Sequence, residues 1–132
     1  MNYLLDTHAL LWTLFDKKKL SEKAKNVLLE GDAKVYISTV SLWEISLKYA
    51  IGKLGLKKKK PDEIPVALQE MGFEIIDLNE KTASTFYKIP IDKHKDPFDL
   101  LLAWQAIIEG LTIISKDKAF SEYEKCGLSV VW

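Results

Sequence analysis

At 132 residues the chain is long enough for one domain with a hydrophobic core and short for two. Its 48% hydrophobic and 29% charged content is that of a globular protein and excludes wholesale disorder. Its 19 basic residues, every one a lysine, balance 19 acidic ones, so any nucleic-acid partner must be held by a local patch rather than by net charge.

Taken in chain order, "NYLLD" (2–6) reads as a short strand, "ALLWTLF" (9–15) as a helix, and "SEKAKNVLLEG" (21–31) as a helix capped by Ser21 and stopped by Gly31. "KVYIS" (34–38) is a strand and "VSLWEISLKYAIG" (40–52) a helix, followed by a lysine-rich loop. A helix is expected over 61–72, with Pro65 near its start, then a strand "FEIIDL" (73–78) and a helix over 80–89. "HKDPFDLLLAWQA" (94–106) opens a helix running to Gly110, "LTIIS" (111–115) is a strand, 117–127 a helix, and "LSVVW" (128–132) a last strand. Gly31, Gly72, Gly110 and Gly127 each end a helix and lead into an apolar run. Strands apolar on both faces, alternating with helices, imply a single α/β domain over 1–132 with a mainly parallel sheet flanked by helices.

No apolar run approaches the roughly 20 residues that span a bilayer, and the N-terminal stretch carries Asp6 and His8 without a basic start, so no membrane span or signal peptide is expected. Cys126 is the only cysteine, which excludes an internal disulfide and a cysteine zinc cluster. A cytosolic protein is the simplest reading.

The acids are placed unusually. Asp6 closes the first strand, Glu44 lies early in the helix after the second, Asp99 sits in the first turn of the helix at 97, and Asp117 follows "LTIIS". Each has an ordinary explanation in helix capping. "SLWE" (41–44) fits the Ser-x-x-Glu capping box, "DPFD" (96–99) offers Asp96 as N-cap with Pro97 at the first position, and Asp6 and Asp117 can cap the helices that follow them. Capping leaves Asp6 unexplained, because a charge closing an apolar strand is costly without a partner. Ligands of an open parallel sheet bind beyond the carboxyl ends of its strands. If the four segments adjoin there, their carboxylates meet and suit a hard cation, since Mg²⁺ takes oxygen ligands at about 2.0–2.1 Å and keeps several waters.

"LLDTHALLW", "SLWEI" with "IGKLGL", "HKDPFDLLLAWQA" and "LTIISKDKAF" resemble, in order and spacing, the PIN-domain ribonucleases, and within them the VapC-like toxins of toxin–antitoxin pairs. The resemblance covers nearly the whole chain. It implies a twisted, mainly parallel sheet flanked by helices, and Mg²⁺- or Mn²⁺-dependent endonuclease cleavage of RNA by a metal-activated water, leaving a 5′-phosphate and a 3′-hydroxyl. Carried over by residue, it makes Asp6, Glu44, Asp99 and Asp117 the catalytic acids, with Asp6 and Asp99 most directly holding the metal. It also implies a homodimer, a small cognate antitoxin laid over the acids, and RNA, transfer RNA foremost, as substrate. Lys93, Lys95 and Lys116 are the nearby cations for its backbone.

Two positions depart from the family pattern. Leu100 stands where an arginine is usual, removing a cation near the site, and Ser115 replaces a threonine but keeps the hydroxyl. The rival readings are a PIN-like module that binds RNA or protein without cutting, and a phosphohydrolase working through an aspartyl-phosphate. The latter usually needs a second acid close behind the first, which "LLDTHALLW" lacks. Trp12, Trp43 and Trp104 read as core or interface residues, His8 as packed or supporting the site, and His94 as an ordinary loop residue.

Overall fold

A computed structural model of the chain describes residues 1–91 and 96–132. Five strands, β1 (Asn2–Leu5), β2 (Lys34–Ser38), β3 (Glu74–Ile76), β4 (Thr112–Ile114) and β5 (Ser129–Val131), form one sheet in the order β3-β2-β1-β4-β5. Every pairing is parallel, with Leu4 opposite Tyr36 on one side of β1 and opposite Ile113 on the other. The chain builds outward from β1 through β2 to β3, then returns to place β4 on β1's other side. β1 and β4 therefore flank the point where the strand order reverses, the place where open α/β sheets bind ligands.

Side chains alternate across the sheet. Tyr3, Leu5, Val35, Ile37 and Ile114 enter one buried cluster with Ala9, Leu10, Ile45 and Ile64. Leu4 and Ile113 enter the other, with Leu100, Ala103, Ala106, Phe120 and Tyr123. The first face is covered by α1 (Thr7–Phe15), α2 (Glu22–Leu29), α3 (Thr39–Ala50) and α4 (Ile64–Glu70). On the second lie α6 (Pro97–Glu109) and a 3₁₀ segment over Lys118–Cys126, with α5 (Glu80–Thr85) against α6.

Most of the expected elements are present, with three corrections. α2 ends at Leu29 and Gly31 is not left-handed, because a turn with Ala33 N–H on the Glu30 carbonyl (3.4 Å) closes the helix instead. Gly72, Gly110 and Gly127 do take positive φ, as expected. Residues 118–126 form a 3₁₀ rather than an α-helix. Phe120, Tyr123 and Cys126 recur every third residue, the spacing that a 3₁₀ turn stacks on one face. The helices expected over 61–72 and 80–89 are likewise shared with 3₁₀ turns, at Pro61–Glu63 and Phe86–Lys88. Among the described residues no helix is long and apolar enough to cross a membrane.

Candidate active site

Asp6 leaves the end of β1 and caps α1. Its Oδ1 accepts the Ala9 N–H (2.7 Å), and its Oδ2 accepts the hydroxyl of Ser115 at the end of β4. Ser115 in turn accepts the Asp117 N–H (3.0 Å), and Asp117 caps the 3₁₀ segment through Ala119 N–H (2.9 Å). One short relay thus ties the first acid to the last across the β1–β4 seam. Asp6 is only 4% exposed. Burial pushes its carboxyl above the usual aspartate range, against the pull of the Ser115 and Ala9 hydrogen bonds and of nearby His8; the charge of Asp117 adds to the rise. Both acids line a cavity of about 250 Å³ together with His8, Trp12 and Lys116.

Glu44 lies on the other side of the same chain segment. Thr7, the residue after Asp6, donates its hydroxyl to Glu44 Oε1 (2.6 Å). A hydroxyl carries one hydrogen, so the buried Ser41 hydroxyl 3.0 Å away donates to Thr7. Glu44 Oε2 pairs with Lys48, one turn along α3. The capping-box explanation of "SLWE" is therefore wrong. α3 starts at Thr39 with Ser38 as its cap, which puts Glu44 in the second turn, its carboxylate turned to Thr7 of α1 and Lys48 rather than back to the cap. The hydrogen bond to Glu44 holds the Lys48 ammonium above the usual lysine range, helped by the charges of Glu44, Asp96 and Asp99. Asp96 caps α6 through Phe98 N–H (2.9 Å) and Asp99 N–H (3.4 Å), as its "DPFD" pattern predicts. Lys48 thus pairs with Glu44 within reach of the charges of Asp96 and Asp99.

Of the four sequence-predicted acids, Asp6 is tied to Asp117 through Ser115, and Glu44 pairs with Lys48, whose ammonium also feels the charge of Asp99. Among the described residues no group of three or more His, Cys, Asp or Glu side chains is close enough to cage a metal ion. A hard divalent cation still suits the donors. They are carboxylate oxygens, Asp6 is already stripped of water, and Mg²⁺ is commonly held by only one or two carboxylates. Lys116 is exposed on the cavity rim. Lys93, His94 and Lys95 lie outside the described residues.

Lys48 escaped the sequence reading. Its signal was the i, i+4 spacing from Glu44, which places both on one helix face. Leu100 is 2% exposed within the core cluster of α6, so position 100 packs rather than faces the acids, while Lys48 of α3 places a cation beside Glu44. Trp104 packs as expected and donates to the Thr85 hydroxyl (3.1 Å). Trp43 is not core: it is 61% exposed, edge-on to Phe98 at 5.1 Å. His8 is exposed rather than packed inside, and Trp12 is half-buried on the wall of the Asp6 cavity.

The PIN domain family model matches residues 3–125, and the chain belongs to this family of nucleases. The resemblance to the PIN domain and the expected fold class are both borne out. Among solved structures, the chain is similar to VapBC2 from Rickettsia felis bound to a DNA fragment from their promoter, with 21% identity over 99% of this chain and 98% of that one (TM-score 0.64). It is also similar to DNA-bound VapBC from Salmonella typhimurium, with 19% identity over 99% and 97% (TM-score 0.66). FitAcB from Neisseria gonorrhoeae shares 20% identity over 100% and 97% (TM-score 0.61). At these identities the likeness is one of fold. No curated protein sequence matches the chain.

Proposed function

We propose that the chain is an endoribonuclease dependent on Mg²⁺ or Mn²⁺ and the toxin of a toxin–antitoxin pair. The observation that carries this is the buried Asp6 carboxylate at the reversal point of the sheet, joined through Ser115 to Asp117. Asp6 and Asp99 would hold the ion, which when bound supplies a more acidic water and a positive charge for the phosphoryl oxygens. Ser115 orients the Asp6 carboxylate and the Asp117 backbone together. Asp117, beside Asp6, orients the attacking water by accepting its hydrogen bond. Glu44, locked by Thr7 and Lys48, serves the leaving-group side, where Lys48 supplies a fixed cation for the substrate backbone. Lys116, with Lys93 and Lys95, contributes further cations for the backbone, so affinity should fall steeply with salt.

The test is cleavage of total cellular RNA by the purified chain with Mn²⁺ or Mg²⁺, against EDTA, beside Asp99→Asn. Metal-dependent cutting that disappears in the variant supports the reading. Equal cutting by both proteins refutes the site, and silence of both across several RNAs, transfer RNA included, favours a non-cutting binding module.

We also propose a homodimer and a small antitoxin partner that covers the acids with a cationic side chain. VapBC complexes among the structures of the same fold support the partner. Size exclusion with the product of the neighbouring small reading frame should give a complex. Its absence would count against the toxin assignment.

A further inference from the structure

The cavity at Asp6 and Asp117 has one polar side and one aromatic side. His8 and Trp12 stand one turn apart on α1, with ring centroids 5.8 Å apart and planes 31° from parallel. Trp132, the last residue of the chain, backs Trp12 at 5.7 Å. Trp12 is thereby braced on one side while still lining the cavity. His8 and Trp12 also line an adjoining hollow of about 280 Å³, whose wall includes Lys19 and Lys57. An aromatic step thus stands between the acids and the lysines of the second hollow. Asp6 caps the helix that carries both rings, so the spacing from acid to aromatic surface is set by one rigid element.

From this geometry we infer that His8 and Trp12 form a nucleobase-stacking subsite for single-stranded RNA, directly beside the cleavage centre. The inference rests on the nuclease reading above and names how that site grips its substrate. A phosphodiester cleaved beside Asp6 and Asp117 has a nucleoside attached on either side, so a base must lie within one nucleotide of these acids. The cavity, at about 250 Å³, is just below the ~300–1,000 Å³ of sites for drug-sized ligands and on the scale of a single nucleotide. Aromatic rings hold unstacked bases of any sequence, and a duplex presents none. Lys116 on the rim and, beyond the rings, Lys57 with Lys19 beside its ion-pair partner Asp16 match a phosphate backbone on both sides of the base. An apolar side chain of a protein partner would fit the rings but has no use for cations on both sides.

The experiment measures cleavage in Mn²⁺ of a labelled single-stranded RNA of mixed sequence by wild type, Trp12→Ala, Trp12→Phe and His8→Ala. Affinity for the same RNA and for a duplex of equal length is measured in an Asp99→Asn background, where nothing is cut. The expected loss in Trp12→Ala is five- to 150-fold in kcat/KM, mostly through KM, the equivalent of about 1–3 kcal/mol for one stacked base. Trp12→Phe should keep most of the activity, His8→Ala should lose less than Trp12→Ala, and single strands should bind more tightly than duplex. Because Trp12 also packs on Trp132, melting curves accompany each variant. If Trp12→Ala does not fold, Trp12→Phe and the exposed His8→Ala decide. Folded variants that bind and cut like wild type overturn the subsite and leave the nuclease standing. So does a variant that cuts normally but loses its antitoxin, which would make the rings a protein-docking surface. A wild type that neither binds nor cuts RNA overturns both.

Discussion

Replacing Asp6 by Asn should stabilise the metal-free protein at neutral pH while abolishing its response to metal. The amide is isosteric. Its oxygen keeps the Ala9 N–H at 2.7 Å, and its NH₂ reverses the bond to Ser115, donating to an Oγ that also accepts the Asp117 N–H, while the Ser115 hydrogen gives up its carboxylate acceptor, a cost smaller than that of the buried charge. What disappears is a carboxylate charge buried to 4% exposure, without an ion-pair partner among the described residues. Since burial raises the folded-state pKa of Asp6 above the ordinary aspartate value of 3.8, folding favours the neutral carboxyl. Its stability contribution is therefore full below 3.8 and is lost as pH rises through the raised folded value. A gain on the order of 1 kcal/mol would raise Tm by roughly 3–6 °C for a chain of this size. In EDTA the advantage of Asp6→Asn should be small near pH 4 and grow toward pH 7. Metal at 100 times its Kd should stabilise wild type by about 2.7 kcal/mol and the variant far less. Differential scanning calorimetry with and without Mn²⁺ reads both effects. A variant that melts below wild type in EDTA at pH 7, or that gains as much from Mn²⁺, would refute the placing of an uncompensated charge at this seam.

Lys48→Met leaves Glu44 buried at 3% exposure with only the Thr7 hydroxyl, and should cost about 1–3 kcal/mol, discounted for the partial exposure of the lysine. Because the Lys48 pKa is raised from 10.5, that loss should be constant from pH 7 to 9 and shrink only as pH rises through the raised folded value; a loss that fades by pH 8 in urea titrations would contradict the pairing. Ser115→Ala removes the link between Asp6 and Asp117 and should cost about 1–3 kcal/mol, with RNA cleavage falling further than stability alone explains. Unchanged cleavage would show that the relay does not position the acids. Gly110→Ala puts a side chain at φ 68° and should cost about 1–2 kcal/mol, whereas Gly31→Ala should change stability by no more than about 0.5 kcal/mol. Equal melting shifts in these two variants would contradict the assigned ends of α2 and α6.

The sequence by itself determined what is set within three or four residues. Ser21, Asp96 and Asp117 cap their helices as their positions predict, because a cap bond reaches only the N–H two or three residues ahead. Gly110 stops α6 for the same local reason, and β2 lies where its apolar run is. The acids were legible as candidates because a carboxylate closing an apolar strand is chemically odd wherever the strand sits.

Other features depended on contacts between distant segments. Asp6 meets Ser115 across 109 residues and Glu44 meets Thr7 across 37, contacts that exist only once β1 lies between β2 and β4. Lys48 was visible as a lysine one turn from Glu44. Its proximity to Asp96 and Asp99 required α3 and α6 to pack together. The rings of α1 show the division most plainly. Their spacing puts His8 and Trp12 on one helix face, but helical periodicity cannot say whether that face meets the core or the ligand edge of the sheet. Only the docking of α1 against the sheet, with Trp132 brought in behind it, turned that face toward the acids.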